Sequence, residues 1–256
     1  MWSYLNVSVK GTSHDTKNIP CQDNNYCSIV EDINGAQILI AIVSDGAGSA
    51  SKADIGSSET CTKFSAFLIN CLEKGMNLNA FTEDFLKGWI VEFQNELTIK
   101  ATSEELHIRD YASTFLAAIV SAESACFVQI GDGAIVIKGE DGDYSYMFVP
   151  QNGEYANETF FITDEKAVER IQFEYIEKPI NQIAMFSDGI QNLVLDVQNF
   201  TVNQHFFSEW FKWLSEIKDQ NIGKQILEDY LNSPKINERT NDDKTLVLAY
   251  RANEDE

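Results

Sequence analysis

Two heptapeptides far apart in the chain are built alike. Ile40-Ala41-Ile42-Val43-Ser44-Asp45-Gly46 and Ile183-Ala184-Met185-Phe186-Ser187-Asp188-Gly189 each run four apolar residues into Ser-Asp-Gly, and Phe127-Val128-Gln129-Ile130-Gly131-Asp132-Gly133 repeats the design loosely. Four consecutive apolar residues bounded by a turn dipeptide read as a strand buried on both faces. Such a strand needs cover on each side, which restricts the chain to layered architectures with sheets inside. Asp-Gly by itself marks an ordinary turn. The same tripeptide closing two near-identical buried strands points instead to carboxylates mounted on rigid strand ends, each followed by a Gly that lets the backbone turn sharply and a ligand approach its carbonyl.

The rest of the sequence supplies the cover. Alternating or apolar runs predict strands over 5–9, 25–30 and 36–43, with Asn34-Gly35 as the hairpin turn between the last two. Apolar residues at three- and four-residue steps predict helices over about 52–73 (Phe64, Phe67, Leu68, Cys71) and 81–100 (Phe85, Trp89, Phe93). Strands at 114–120, 125–130 and 134–138 read as a meander. A buried strand at 182–186, helices at 205–214 and 222–231 and a last strand at 245–250 follow. Strands, helices, strands, then helices with a closing strand fit an α+β domain of antiparallel sheets covered by helices rather than regular βαβ alternation. No Pro-rich or Gly/Ser-rich linker divides the chain, so residues 1–256 read as one domain, with a charge-rich end at 253–256.

Composition removes several functions. A chain of 256 residues with 44% hydrophobic content can bury a sizeable core. Its formal net charge of −21 opposes nucleic-acid binding, which draws on cations neutralising phosphates, and no basic patch offsets it. The apolar runs are far shorter than the roughly 20 residues that span a bilayer. The first residues lack the basic and apolar regions of a signal peptide, so a cytoplasmic site of action is expected. Five cysteines without CxxC spacing (Cys21, Cys27, Cys61, Cys71, Cys126) suit buried free thiols rather than a disulfide or zinc framework. His107 and His205 stand alone, without metal-ligand spacing. The aromatic run Phe206, Phe207, Trp210, Phe211, Trp213, Leu214 reads as a helix packing face.

Two more acidic signals join the strand ends: Cys21-Gln22-Asp23-Asn24 before a strand, and Asn241-Asp242-Asp243-Lys244-Thr245 before the last one. Carboxylates gathered in a dry site repel one another and take up protons unless cations sit between them. Aspartate oxygens, a backbone carbonyl and water suit magnesium or manganese better than zinc. Repeated D-x-D-x-D-G loops, the mark of a calcium-buffering protein, are absent.

In these residues the sequence resembles the metal-dependent Ser/Thr protein phosphatases of the type 2C (PPM) family, specifically the compact bacterial branch. The matching elements occur in family order: Gln22-Asp23, Ser44-Asp45-Gly46, Ser113-Thr114 before Gly131-Asp132, Ser187-Asp188-Gly189, and Asp242-Asp243-Lys244-Thr245. The resemblance implies an α/β/β/α sandwich of two antiparallel sheets flanked by helices, with two manganese or magnesium ions at one end and a weaker third site. It implies that Asp45 bridges both metals, that the Gly46 carbonyl binds one, and that Asp188 and Asp242 hold the other. Asp23 would contact the metal shell directly or through water, and Asp132 would belong to the third site. The implied reaction is hydrolysis of phosphoserine or phosphothreonine by direct attack of a hydroxide held between two metals. The absence of a Cys-x5-Arg loop agrees with a reaction that needs no phosphoenzyme.

The chain also departs from the pattern. Ala47 stands where many relatives place a His after Asp-Gly. Asn18, beside Lys17, stands where eukaryotic members place a phosphate-binding Arg. Gln22 replaces a common acidic residue, and Asn192 replaces a common third-site Asp. His14, in a Gly11-Thr12-Ser13-His14 stretch like that of bacterial relatives, is the candidate to contact phosphate or donate a proton. The implied partners are a phosphorylated protein substrate, a cognate Ser/Thr kinase and a von Willebrand A-like protein, with a monomer as the default. The missing His and Arg sustain a second reading, a catalytically weak phosphatase-fold scaffold that binds a phosphoprotein or regulator.

Overall fold

The computed structural model describes residues 1–139, 142–151, 159–196, 199 and 201–252; the charge-rich end at 253–256 lies outside them. The chain runs β1 (Trp2–Val9), α1 (Thr12–Lys17), β2 (Asn24–Glu31), β3 (Gln37–Ser44), α2 (Ala53–Glu73), α3 (Glu83–Ser103), β4 (Phe115–Val120), β5 (Ala125–Ile130), β6 (Ala134–Lys138), β7 (Ser145–Tyr146), α4 (Ala167–Arg170), β8 (Gln172–Ile176), β9 (Gln182–Phe186), α5 (Asp188–Val194), β10 (Leu195–Asp196), β11 (Thr201–Val202), α6 (Gln204–Glu216), α7 (Gln220–Leu231), α8 (Pro234–Asn237) and β12 (Lys244–Arg251). Two five-stranded sheets result, ordered β1-β12-β9-β6-β7 and β2-β3-β4-β5-β8, with antiparallel pairing throughout.

The two-sided burial anticipated for the apolar strands shows in β3. Ile38, Ile40 and Ile42 face outward into a core with Phe64 of α2 and Trp89 of α3. Leu39, Ala41 and Val43 face inward, where they join Ile183 and Met185 of β9 and Val247 of β12. On the far side, Phe186, Leu246 and Leu248 pack against Phe207 and Phe211 of α6. The order of layers is therefore helix, sheet, sheet, helix, as the resemblance implied. The aromatic run of α6 is a packing face: Phe207, Phe211 and Leu214 are buried, while Trp210 lies 4.8 Å from Tyr230 of α7 between ring centroids.

Local chemistry starts and stops these elements. Asp32 accepts the N–H groups of Asn34 and Ala36 and holds the β2–β3 turn, with Gly35 at φ 79°. The Thr82 hydroxyl accepts the Phe85 N–H and caps α3, whose first turn carries Glu83 and Asp84 against the positive end of the helix dipole. Asn203 and Asp219 cap α6 and α7 in the same way.

The expected meander over 114–138 is broken. β4 and β5 pair with each other, but β6 leaves that sheet and pairs with β9 in the other one. The crossing runs through Gly131-Asp132-Gly133, and Gly131 takes φ 119°, a backbone conformation that a side chain disfavours. Helix α1 and strand β8 were not anticipated. Six residues carry too little periodicity to show α1, and β8 is an edge strand with no fully buried residue. Among the described residues, no helix is long and apolar enough to cross a membrane.

The Phe64 ring is fully buried, with its centroid 4.5 Å from that of Trp89 and 4.8 Å from that of Phe115. Phe64→Ala is expected to cost about 3–5 kcal/mol, through lost burial and the cavity left behind. Urea unfolding checks this: the midpoint falls while the slope of the transition holds.

Candidate metal centre

Antiparallel pairing brings eight strand termini to one end of the sandwich. Val9 lies opposite Lys244, Ser44 opposite Asn24, Phe115 opposite Ile130, and Phe186 opposite both Leu246 and Ala134. Asp23, Asp45, Asp132, Asp188 and the pair Asp242-Asp243 flank these termini, so acidic groups distant in sequence converge there. Asp188 opens helix α5 directly after β9.

The backbone around Asp45 is fixed from two sides. Its N–H donates to Thr114 Oγ1 at 2.8 Å, and its carbonyl accepts the Thr114 N–H at 2.8 Å. The Gly46 N–H donates to the Gln22 carbonyl at 3.1 Å. Glycine follows both aspartates because of crowding, and neither Gly46 nor Gly189 takes a positive φ. A Cβ on Gly46 would lie 2.6 Å from the Ala53 carbonyl oxygen, and one on Gly189 would lie 1.9 Å from that of Asp243. The repeated Ser-Asp-Gly thus reflects close backbone packing more than turning.

Carboxylate oxygens of Asp45, Asp132 and Asp188 all lie within 4.8 Å of one another. Thr159 donates a short hydrogen bond to Asp132. Asp23 is buried behind this group; its Oδ2 accepts Ser187 Oγ at 2.6 Å and Thr245 Oγ1 at 2.8 Å. Burial pushes the Asp23 carboxyl up to about 7. Burial, reinforced by the charges of Asp132 and Asp242, pushes Asp188 up to about 6. Asp45 is held well above the usual carboxylate range by burial and by Asp23, Asp188 and Asp132 around it, and burial raises Asp132 as well.

These groups fit divalent cations. Asp23 Oδ1 and Asp188 Oδ1 are buried without a hydrogen-bond donor, and so is Gln22 Oε1 on the wall of the same cavity. Buried acceptors without donors are costly, and carboxylates forced toward neutrality become charged when a cation sits among them. An all-oxygen set of this kind suits hard ions such as magnesium or manganese.

The cluster borders an open cavity of about 480 Å³, whose wall includes His14, Gly46 and Asp242. Asp242 sits at the exposed rim, while Asp243 beside it is buried. Ala47 contributes a small apolar wall. Asn18 and Lys17 are exposed; Asn18 adopts φ 54° as the C-cap of α1, a left-handed position that asparagine tolerates. Asn192 is exposed on α5, and His107 and His205 are exposed away from the cavity. Asp132, expected at the third site, stands in one group with Asp45 and Asp188. Sequence reading passed over Asp243 and the hydroxyls of Ser187, Thr245 and Thr159. The Ser preceding Asp in both repeats and the doubled Asp before β12 were the available signals.

Clustered carboxylates on rigid strand ends, bordering an open water-accessible cavity, define a metal-dependent hydrolase. Comparison with known proteins sharpens this class. The family model described as "Protein phosphatase 2C" matches residues 10–232. Serine/threonine-protein phosphatase 3 of Escherichia coli (strain K12) is 34% identical over 252 residues, covering 97% of this chain and 98% of that protein. Among solved structures, Staphylococcus aureus Ser/Thr phosphatase Stp1 aligns with a TM-score of 0.64 at 16% identity, over 99% of this chain and 96% of that one. The catalytic domain of the serine threonine protein phosphatase PstP, solved with 2 manganese ions, aligns with a TM-score of 0.63 at 15% identity over 97% of each chain. The chain belongs to the protein phosphatase 2C family and is a serine/threonine protein phosphatase.

The raised carboxyls make stability depend on pH and metal. Folding holds protons on Asp23 and Asp188 that the unfolded chain releases near pH 4. The metal-free protein therefore loses stability as pH rises from about 4 through about 7. Thermal unfolding in EDTA is expected to show a lower Tm at pH 8 than at pH 5, and manganese should restore it at pH 8. Asp45→Asn should raise the Tm in EDTA and shrink the manganese increment.

Proposed function

We propose that the domain of residues 1–256 hydrolyses phosphoserine and phosphothreonine in protein substrates in a single displacement, without a phosphoenzyme. The observation that carries this reading is the Asp45-Asp132-Asp188 carboxylate group facing an open cavity of about 480 Å³. Two manganese or magnesium ions would be held by Asp45 between them, by the Gly46 carbonyl on one and by Asp188 and Asp242 on the other. Asp23 would act on the same shell directly or through water, and Asp132 would serve a third, weaker ion. When bound, such ions acidify water and neutralise charge on the phosphoryl oxygens.

The chain's own residues do the positioning. Thr114 grips Asp45 at both its N–H and its carbonyl, so that carboxylate stays where the sheet places it. Ser187 and Thr245 hold Asp23 by one oxygen and leave the other free for a cation or its water. His14 lies on the wall of the cavity that a phosphoryl group would enter. The enzyme would act in the cytoplasm as a monomer against a Ser/Thr kinase of the same cell, with a von Willebrand A-like protein as a further partner.

Hydrolysis of a phosphothreonine peptide tests this directly. After EDTA treatment, activity is expected to vanish and to return on titration with manganese. Asp45→Asn and Asp188→Asn should each lower kcat/KM by about 100-fold or more, since even groups behind metal ligands cost 10–100-fold. A native chain that binds manganese yet turns over no phosphopeptide would favour the scaffold reading.

A further inference from the structure

The reaction needs a proton on the departing Ser or Thr oxygen, and Ala47 beside Asp45-Gly46 offers only a methyl group. Of the described residues lining the cavity, His14 alone has a side chain that can carry positive charge. Lys244 is buried nearby, but its Nζ donates to Asn237 Oδ1 and to the Asp242 carbonyl, both at 3.1 Å, and it does not line the cavity.

His14, a buried residue of α1, is held from several sides. Its Nδ1 lies 2.9 Å from Asp243 Oδ2. The same oxygen accepts the Gln22 N–H at 2.5 Å, and Asp243 Oδ1 accepts the Gly11 N–H at 2.6 Å. Asp243 is only 3% exposed. A carboxylate accepts and does not donate, so Nδ1 carries the hydrogen and Nε2 is the ring edge left for the cavity. The backbone is tied down too: the His14 N–H donates to the Gly11 carbonyl, the Ser13 N–H to the Asn241 carbonyl, and the Ile19 N–H to the His14 carbonyl. One buried carboxylate thereby joins the loop after β1, the segment before β2 and the start of β12 around a single imidazole.

We propose that His14 is the catalytic proton donor to the leaving oxygen and that Asp243 is its positioning residue. This rests on the phosphatase reading above. A water oxygen bonds to phosphorus and its proton passes to solvent; the bond from phosphorus to the Ser or Thr oxygen breaks, and the electron pair left on that oxygen takes the proton from His14 Nε2. His14 regains a proton from solvent, so the cycle converts phosphoester and water to alcohol and hydrogen phosphate. Asp243 takes no proton in this sequence; it fixes which ring nitrogen faces the substrate.

The test compares two leaving groups in the manganese-saturated protein. A phosphothreonine peptide expels an aliphatic alkoxide and depends on the donor, whereas p-nitrophenyl phosphate expels a stable phenolate and needs it little. His14→Ala is expected to lower kcat on the peptide by about 100-fold or more, within the range of general acid catalysis, with KM little changed and a far smaller loss on the aryl ester. Asp243→Asn should show the same split in milder form, and the double variant should be no worse than His14→Ala, because both changes act through one group. Should Asp243→Asn fold poorly, Asp243→Glu, which keeps the charge but moves the acceptor, gives the same comparison. Equal losses on both substrates, or a double variant whose losses multiply, would overturn the proposal. A native chain inactive on both substrates would instead overturn the phosphatase reading beneath it.

Discussion

The contact between the two sheets governs everything else in this protein. Alternate side chains of β3, β9 and β12 interlock there, with Val43, Met185 and Val247 in one apolar layer. That layer fixes how far each strand runs toward the end of the sandwich, and so where Asp45 and Asp188 emerge. Close packing of this kind transmits small errors. The backbone contacts at Gly46 and Gly189, where even a methyl group would collide with a neighbouring carbonyl, leave the strand ends little freedom to adjust.

What the sheets hold in place is electrostatically unfavourable by itself. Asp23, Asp45, Asp132 and Asp188 are all displaced toward their neutral forms, by burial first and then by the charges of neighbouring aspartates, Asp242 and Asp243 among them. Hydroxyl donors from Ser187, Thr245 and Thr159 offset part of that cost but leave oxygens of Asp23 and Asp188 without donors. Charge enters this site at a cost in stability unless a counter-ion comes with it. Asp243 differs: it accepts three hydrogen bonds and behaves as a fixed joint between segments.

Much of this was legible in the sequence, and the reasons differ by element. Strands buried on both faces, such as β3 and β9, announce themselves by unbroken apolar runs, and α2 and α3 by three- and four-residue steps. The acidic group at the strand ends was readable because Ser-Asp-Gly recurs at the close of matching strands. Whether Gly131 continues a meander or carries the chain to the other sheet depends on its φ of 119° and on contacts made later in the chain, which no local pattern contains. Asp243 was visible as a residue but not as a clamp, because its partners Gly11, His14 and Gln22 come from the other end of the chain and bind it largely through backbone N–H groups, which have no sequence signature.

Asp45 follows a strand of one sheet and Asp188 a strand of the other. Neither sheet alone contains the carboxylate group; it comes into being when the two dock. An ion shared by those two residues would thus be a reversible cross-link across the docking plane. Contacts that complete only after docking chiefly retard escape from the native state rather than hasten arrival at it. Occupancy of this cleft would consequently lengthen the lifetime of the folded molecule, and ion exchange and sheet separation would become competing exits from the same state.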